Sequence, residues 1–416
     1  MAGRSLRGYE VLRNRNYRLF WLGQWVSLIG TCMQSVTQAW LLTRLSDSPL
    51  ALGLLGAASS APMLIFVLFG GLVSDRSNRQ RIIMITQSLS LLQALVMALL
   101  TLSGVVRPWH IIALAALLGA INAFDIPARQ AFIVELVGPD HLPNAIALNS
   151  TGFNVARVVG PAIGGLLVAA VGEGICFLLN AVSYLAVLWG LWLIRVDARL
   201  TRRPTQVTGA SAVAAGVRYA IARPELTRVL ALVGVVSAVA ISYRTFLPAM
   251  ARNILGVGAW RYGLLMAAAG VGAGLGGFVL AGMRLRVASY GRLLPASLVV
   301  FSFALGAFAL CRVYNTSLLL LSVVGCGGIL YFNASNTSVQ LSVDDEYRGR
   351  VMSLYTLMHQ GTATFGSLAL GVVADRYGTP IALLSGAVVC FAAVATFVAH
   401  GQWRVAAHAA PLAEIE

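Results

Sequence analysis

The sequence predicts an all-α membrane protein with twelve transmembrane helices in two six-helix repeats. Three observations predict it. Of 416 residues, 58% are hydrophobic and only 11% are charged, with mean hydropathy +0.80; soluble domains carry roughly 25% charged residues. Apolar runs of membrane length recur along the whole chain. A polar break from Arg195 to Arg223 leaves six runs on each side.

The runs fall at about 17–42, 50–74, 82–104, 109–133, 145–170 and 175–194, then 226–250, 259–283, 293–311, 316–339, 351–374 and 380–400. Residues 1–16 are basic and lead into a run too long for a signal peptide, so the first run is an uncleaved helix. If the chain starts inside, cytoplasmic segments hold Arg4, Arg7, Arg13, Arg15, Arg18, Arg76, Arg79 and Arg81. The break and later inner loops add Arg195, Arg199, Arg202, Arg203, Arg218, Arg223, Arg228, Arg284, Arg286, Arg292, Arg348 and Arg350. The other side holds Arg44, Arg107, Arg252, Arg261, Arg312 and Arg376. This asymmetry predicts two cytoplasmic termini in the inner (plasma) membrane. Trp21, Trp25, Trp40, Trp109, Trp189, Trp192 and Trp260 fall near run ends, as an interfacial belt requires. The domain expectation is a bundle over 1–195, a cytoplasmic linker over 196–225, and a second bundle with a short tail over 226–416.

The net charge is +15 and all thirty cations are Arg. The arginines recur in short loops instead of clustering, which is the membrane pattern and gives no nucleic-acid partner. The five cysteines are scattered, with no C-x-x-C, so neither a metal site nor a disulfide framework is expected. No G-x-x-x-x-G-K, H-E-x-x-H or G-x-S-x-G occurs. ATP is therefore not the direct energy source, no cofactor is implied, and an enzyme is not expected.

Sliding the chain by 206 residues superposes Gly70 and Gly71 on Gly276 and Gly277, Gly119 on Gly325, Leu148 on Leu354, Gly160 on Gly366, Gly165 on Gly371, and Gly172 on Gly378. An offset near half the length is what two parallel repeats predict, although glycine abundance makes coincidence the alternative. At this offset Asp75 meets Ala281, so only the first half keeps the acid.

Between the second and third runs lies GGLVSDRSNRQR, Gly70 to Arg81. A charged turn between two apolar helices must be aqueous, and its cations place it inside. Its spacing, with Gly71, Asp75, Arg76 and Arg79, resembles the signature loop between helices two and three of the major facilitator superfamily. That pattern has Gly where this chain has Asn78, and Asn tolerates the left-handed conformation such a turn would need. By resemblance the loop gates transport. Asp75 would face the start of a second-half helix, and Arg76 and Arg79 would pair with acids at the inner end of the fourth run, Glu135 among them.

The fifth run carries GPAIGG, with Gly160, Pro161, Gly164 and Gly165. Proline removes a helix hydrogen bond and bends the helix, and small residues let helices approach. The string resembles the glycine-proline motif of the superfamily's drug and proton antiporters, which its importers usually lack. A packing kink is the other reading.

In the first run Gln24, Ser27, Thr31, Gln34 or Ser35, and Gln38 share one helix face, and the tenth run repeats the idea with Asn333, Asn336 and Gln340. By resemblance these stripes line a central cavity; interhelical hydrogen bonding is the alternative. Asp125, Arg129 and Arg157 are deep charges that need partners. Asp125 suits Arg129 one turn on or Arg157 on the next run, and comparable depth predicts an Asp125–Arg157 contact. His359 lies near the middle of the eleventh run and is a second candidate for coupling.

The stretch from Ala123 to Leu167 resembles the bacterial exporter branch that includes the enterobactin exporter and macrolide and multidrug efflux pumps. The resemblance implies the fold, alternating access and the export direction; the substrate does not carry over, because members of this branch differ there. The expectation is a monomeric secondary transporter that exports a small amphipathic molecule, drug-like or a siderophore. The proton gradient would be its energy source and the lipid bilayer its surroundings. An importer of the same fold is the near alternative, and a membrane receptor or enzyme the distant one.

Overall fold

The computed structural model describes residues 11–194, 210–240, 242–282 and 287–399. All regular structure among them is helical: α1 (Arg15–Leu45), α2 (Pro49–Arg76), α3 (Arg79–Leu102), α4 (Pro108–Gly138), α5 (Asp140–Val171) and α6 (Glu173–Leu193). After the break come α7 (Ala210–Ile221), α8 (Pro224–Ile254), α9 (Ala259–Gly282), α10 (Val287–Leu310) and α11 (Tyr314–Ser342). Then α12 spans 345–377, and α13 is Thr379–Ala399. Among the described residues, ten helices are long and apolar enough to cross a membrane. Of the twelve expected runs, those in α1 and α12 fall outside that set. Polar residues punctuate both: Gln24, Gln34 and Gln38 in α1, and His359, Gln360, Thr362 and Thr364 in α12, which carries a π turn at Leu357–Gly361.

Helix ends follow local chemistry. Asn14 caps α1, its side-chain oxygen accepting from the amides of Asn16 and Tyr17. Pro49 and Pro108 start α2 and α4, where a missing N–H costs nothing. α4 and α5 meet without a loop at Gly138, whose φ of +70° and ψ of 173° suit a residue lacking Cβ. Helical dihedrals run through Pro161, and the residue out of helical conformation in this helix pair is Gly138.

Contacts group the chain into two compact units, Met1–Gln206 with Thr245–Gly270, and Val207–Arg244 with Val271–Glu416. The end of α8 and most of the first half of α9 thus pack with the first unit. Within it α2 packs on α4, α1 on α6, α4 and α5, and α3 on α6 and α4. Within the second, α10 packs on α11 and α13, and α12 on α8 and α13.

The repeat reappears in the packing. A Cβ at Gly160 would lie 2.5 Å from Cys32 Cβ of α1, and one at Gly366 would strike the Ala238 carbonyl of α8. Gly70 presses on the Ala123 carbonyl and Gly276 on Ile329. Both neighbours in the second half sit 206 residues beyond those in the first. Gly71 and Gly277 both face open space. Gly172 and Gly378 both end a helix at positive φ, +83° and +90°.

Candidate functional site

The loop between α2 and α3 is held by side chains on both flanks. Asn78 is not left-handed: its φ is −66°, and its side-chain Oδ1 caps α3 by accepting from the Arg81 amide at 3.0 Å. Asparagine satisfies the turn as an N-cap, which is why the glycine of the family pattern is dispensable here. Arg79 Nη1 donates to Glu135 Oε1 of α4 at 2.6 Å, the expected ion pair, with the carboxylate side chain 7% exposed. Gln80 Nε2 donates to the carbonyls of Leu191 and Ile194, so the same turn of α3 also satisfies the end of α6. The side chains of Asp75 and Arg76 lie outside the described residues. Gly71 has nothing within 4 Å.

Asp125 is 1% exposed and fully engaged. Its Oδ1 accepts from Thr86 Oγ1 at 2.7 Å and Gln87 Nε2 at 3.0 Å, and its Oδ2 pairs with Arg129. The expected Asp125–Arg157 contact is corrected by this arrangement. Arg129, one turn on along the same helix, reaches the carboxylate without crossing a helix interface. Arg157 sits 5.3 Å from the Phe153 ring centroid, on its own helix. Burying a carboxylate among three donors, one cationic, is the arrangement a dry layer requires.

The polar face of α1 turns into the bundle. Gln34 Nε2 donates to Gln93 Oε1 of α3 (3.1 Å), and Asn180 Nδ2 of α6 donates to Gln34 Oε1 (2.7 Å). Gln93 Nε2 continues the chain to the Leu114 carbonyl of α4 (3.1 Å). Gln38 Nε2 donates to the Ile111 carbonyl (3.0 Å), and Thr31 meets the Tyr184 hydroxyl (3.2 Å). Gln34 and Gln38 therefore join helices instead of lining open space, because lipid offers a buried amide no alternative partner. Gln24 is buried as well. Thr86, Gln87, Gln93 and Asn180 escaped the sequence reading, yet Thr86, Ser90 and Gln93 lie at steps of four and three, the same one-face spacing as on α1.

GPAIGG is a three-helix junction. Gly160 and Gly164 lie against Cys32 and Met33 of α1. Gly165 meets Gly263 of α9 so closely that a Cβ would stand 2.8 Å from the Gly263 Cα, and one on Gly263 would stand 2.6 Å from the Pro161 carbonyl oxygen. Nearby, Trp40 of α1 stacks on Tyr262 of α9 with centroids 5.6 Å apart, and Arg252 donates to the Thr43 carbonyl. Arg44 pairs with Glu173 at the start of α6.

In the second unit His359 lies in the π turn of α12. Its ring stacks on Phe332 at 4.3 Å, and its Nδ1 is 3.3 Å from Ser237 Oγ of α8. Asn336 accepts from Gln340 at 2.6 Å, and Asn333 is half-buried on the same helix. A π turn adds a residue to one turn and offsets the ring from the regular helix face.

The model of the transmembrane secretion effector family matches residues 7–411. The staphyloferrin A transporter of Staphylococcus aureus (strain NCTC 8325 / PS 47) is 24% identical over 364 residues, 86% of this chain and 88% of that protein. The enterobactin exporter EntS of Escherichia coli O81 (strain ED1a) is 24% identical over 369 residues, 89% of this chain and 87% of that protein. Among solved structures, a bacterial homolog of the human lysosomal transporter Spinster, inward-facing and occupied, superposes with TM-score 0.74 at 17% identity, covering 94% of this chain and 97% of that one. The nucleoside transporter NupG also gives 0.74, at 13% identity, covering 94% and 100%. With helices as the regular structure and ten apolar spans among its described residues, its repeat preserved in glycine packing and its sequence matched from residue 7 to 411, the chain belongs to the transmembrane secretion effector family, a multi-pass branch of the major facilitator superfamily of secondary transporters.

Proposed function

We propose that this chain exports a siderophore or a similar small amphipathic molecule from the cytoplasm, driven by inward proton flow. The observation that carries the reading is the likeness, over most of its length, to two siderophore transporters from distant bacteria. The seating of GPAIGG between α1 and α9 supports it, since that string resembles the antiporter motif and importers usually lack it. In the inner membrane, with both termini cytoplasmic, the contacts of Gly165 with Gly263 and of Trp40 with Tyr262 fall on the outer side. They close the path there while substrate enters from inside.

The coupling group in this reading is Asp125, buried and already hydrogen-bonded to Arg129, Thr86 and Gln87, with His359 as the second candidate. Protonation would release Arg129 from its partner, a charge change at the bundle centre. Asp75, Arg76 and Arg79 act as the gate at the cytoplasmic turn, and the chain works as a monomer of two bundles joined near 196–225.

The test is a deletion strain scored for siderophore secretion and drug susceptibility, followed by uptake of the affected compound into inside-out vesicles. Accumulation should depend on the proton gradient and be lost in Asp125→Asn with normal membrane insertion. Flux in the opposite direction, or transport that survives an uncoupler, would sink the reading.

A further inference from the structure

On the face α1 turns toward α4 and α5, Trp21 Nε1, Gln24 Nε2 and Trp25 Nε1 are buried N–H donors without an acceptor among the described residues, and so is Arg129 Nε of α4. Gln24 is 8% exposed as a residue. Buried donors are nearly always paired, and these four are half of the eight buried side-chain polar atoms without a partner among the described residues.

Helix register brings them to one level. Gln38 reaches the Ile111 carbonyl, and Phe20 meets Phe132 edge-on at 5.4 Å, which fixes α1 antiparallel to α4. One turn from Phe20 along α1 is Gln24, and one turn back from Phe132 along α4 are Ala128 and Arg129. Trp21 and Trp25 flank Gln24 with rings 5.2 Å apart. Trp25 Nε1 points at α5 where Gly152 has no side chain, since a Cβ there would collide with it. Arg129 gives Nη2 to Asp125 and keeps its Nε edge unpaired. Asp125 is thus paired with Arg129, and beside it Gln87 Oε1 is a buried acceptor that also has no partner among the described residues.

We propose that Trp21, Gln24, Trp25 and Arg129 form a binding site for an oxyanion, a carboxylate or a phosphate, between α1, α4 and α5. Neutral N–H groups and one guanidinium edge hold such a group without fixing its exact charge. Trp21 and Trp25 lie about 9 and 15 Å along α1 from Arg15, at 1.5 Å per residue. An acidic portion of a substrate entering from the cytoplasm, or an inner-leaflet lipid headgroup, arrives at that depth. The substrate source rests on the export reading above; the site itself does not.

The test uses the full chain in nanodiscs. With zwitterionic lipid only, isothermal titration with citrate should saturate, and triethyl citrate, which lacks the charges, should give no heat. Gln24→Leu and Trp25→Phe each remove one donor at nearly constant volume, and each should weaken citrate about tenfold or more. If citrate gives no heat but phosphatidylglycerol is retained through purification by the wild type and lost by both variants, the oxyanion is a headgroup and the site stands. Citrate binding unchanged in both variants, or neither citrate nor phosphatidylglycerol held, overturns the site and leaves the orphan donors to water. The two readings separate. A chain that secretes siderophore with unchanged KM in Gln24→Leu keeps its function and loses this site. A chain that binds citrate through Gln24 yet secretes no siderophore keeps the site and loses the function.

Discussion

Asp125 in the first repeat and Tyr331 in the second stand 206 residues apart, in equivalent places, and their surroundings differ. The carboxylate has three partners from two helices. The Tyr331 hydroxyl is buried with no hydrogen-bond partner among the described residues. Arg129 falls on Ser335, Glu135 on Leu341, Gln34 on Ala240, and Asn180 on Gly386. The glycine contacts, by contrast, are kept at both places: Gly160 with Gly366, Gly70 with Gly276, Gly172 with Gly378. Packing is needed twice, because a Cβ cannot enter either contact. The buried charge and amide network is present once, so the fold does not require it. What the first half keeps beyond its twin is chemistry.

The largest effect should come from breaking the charge on one side only. Asp125→Leu leaves the half-buried Arg129 without its carboxylate and should lower stability by roughly 2–3 kcal/mol, discounted from a fully buried pair for its exposure, with the double change Asp125→Leu and Arg129→Leu recovering most of it. Tyr331→Phe, at the matching place, removes an unpartnered hydroxyl and should be neutral or slightly stabilising. Unfolding in detergent compares them, and equal losses in the two halves would erase the distinction.

Next come the shared contacts. Gly160→Ala and Gly366→Ala should each cost about 1–3 kcal/mol by overpacking. Gly366→Ala should cost more, because its new methyl meets the Ala238 carbonyl, whereas that of Gly160 first meets a side chain. Adding Cys32→Gly should therefore relieve Gly160→Ala in part. Thermal melts in which only one glycine matters would break the repeat as a packing unit.

A middle effect is expected at Gln34, which joins Gln93 and Asn180. Gln34→Leu should cost about 1–3 kcal/mol by leaving two buried amides short of partners. The same loss with Asn180→Leu added would show that one network had been removed twice, whereas additive losses would show independent bonds.

The smallest effect belongs to Gly71 and Gly277, which face open space. Gly71→Ala and Gly277→Ala should each raise helix stability by about 0.5–1 kcal/mol. If Gly71→Ala also stops transport while Gly277→Ala does not, the glycine of the charged loop serves movement in one half alone. Vesicle uptake by the two variants decides it.

The fold was largely legible because its determinants are one-dimensional. Apolar length gives the spans, and a glycine that admits no Cβ must recur wherever the repeat recurs. Arg79 with Glu135 was legible for a similar reason, since a charged turn and an acid at the facing helix end leave few partners. Depth alone misled at Asp125. Counting residues inward places Arg157 at the same level but says nothing of rotation about the helix axis, and a partner one turn away on the same helix wins. Asn78 misled through the assumption of a left-handed turn, when capping satisfies the same residue. The amide chain from Gln34 was half visible, as polar spacing on α1 and α3, but spacing cannot tell a side chain that faces a cavity from one that faces its neighbour.

Gly138 joins α4 to α5 with a single residue out of helical conformation. A flexible loop would act as a tether, letting one helix slide while the other stays still. A one-residue joint acts as a crank. Glu135, anchored by Arg79, stands three residues before the pivot, and Gly165 stands at the far end of an arm about 40 Å long at 1.5 Å per residue. A swing of only about 5° at the pivot carries Gly165 through about 3.5 Å, from the same arm length. That exceeds the clearance between Gly165 and Gly263, where even one methyl group has no room. A small rotation beside the charged turn would therefore be magnified at the opposite end of the helix, where Gly165 meets Gly263.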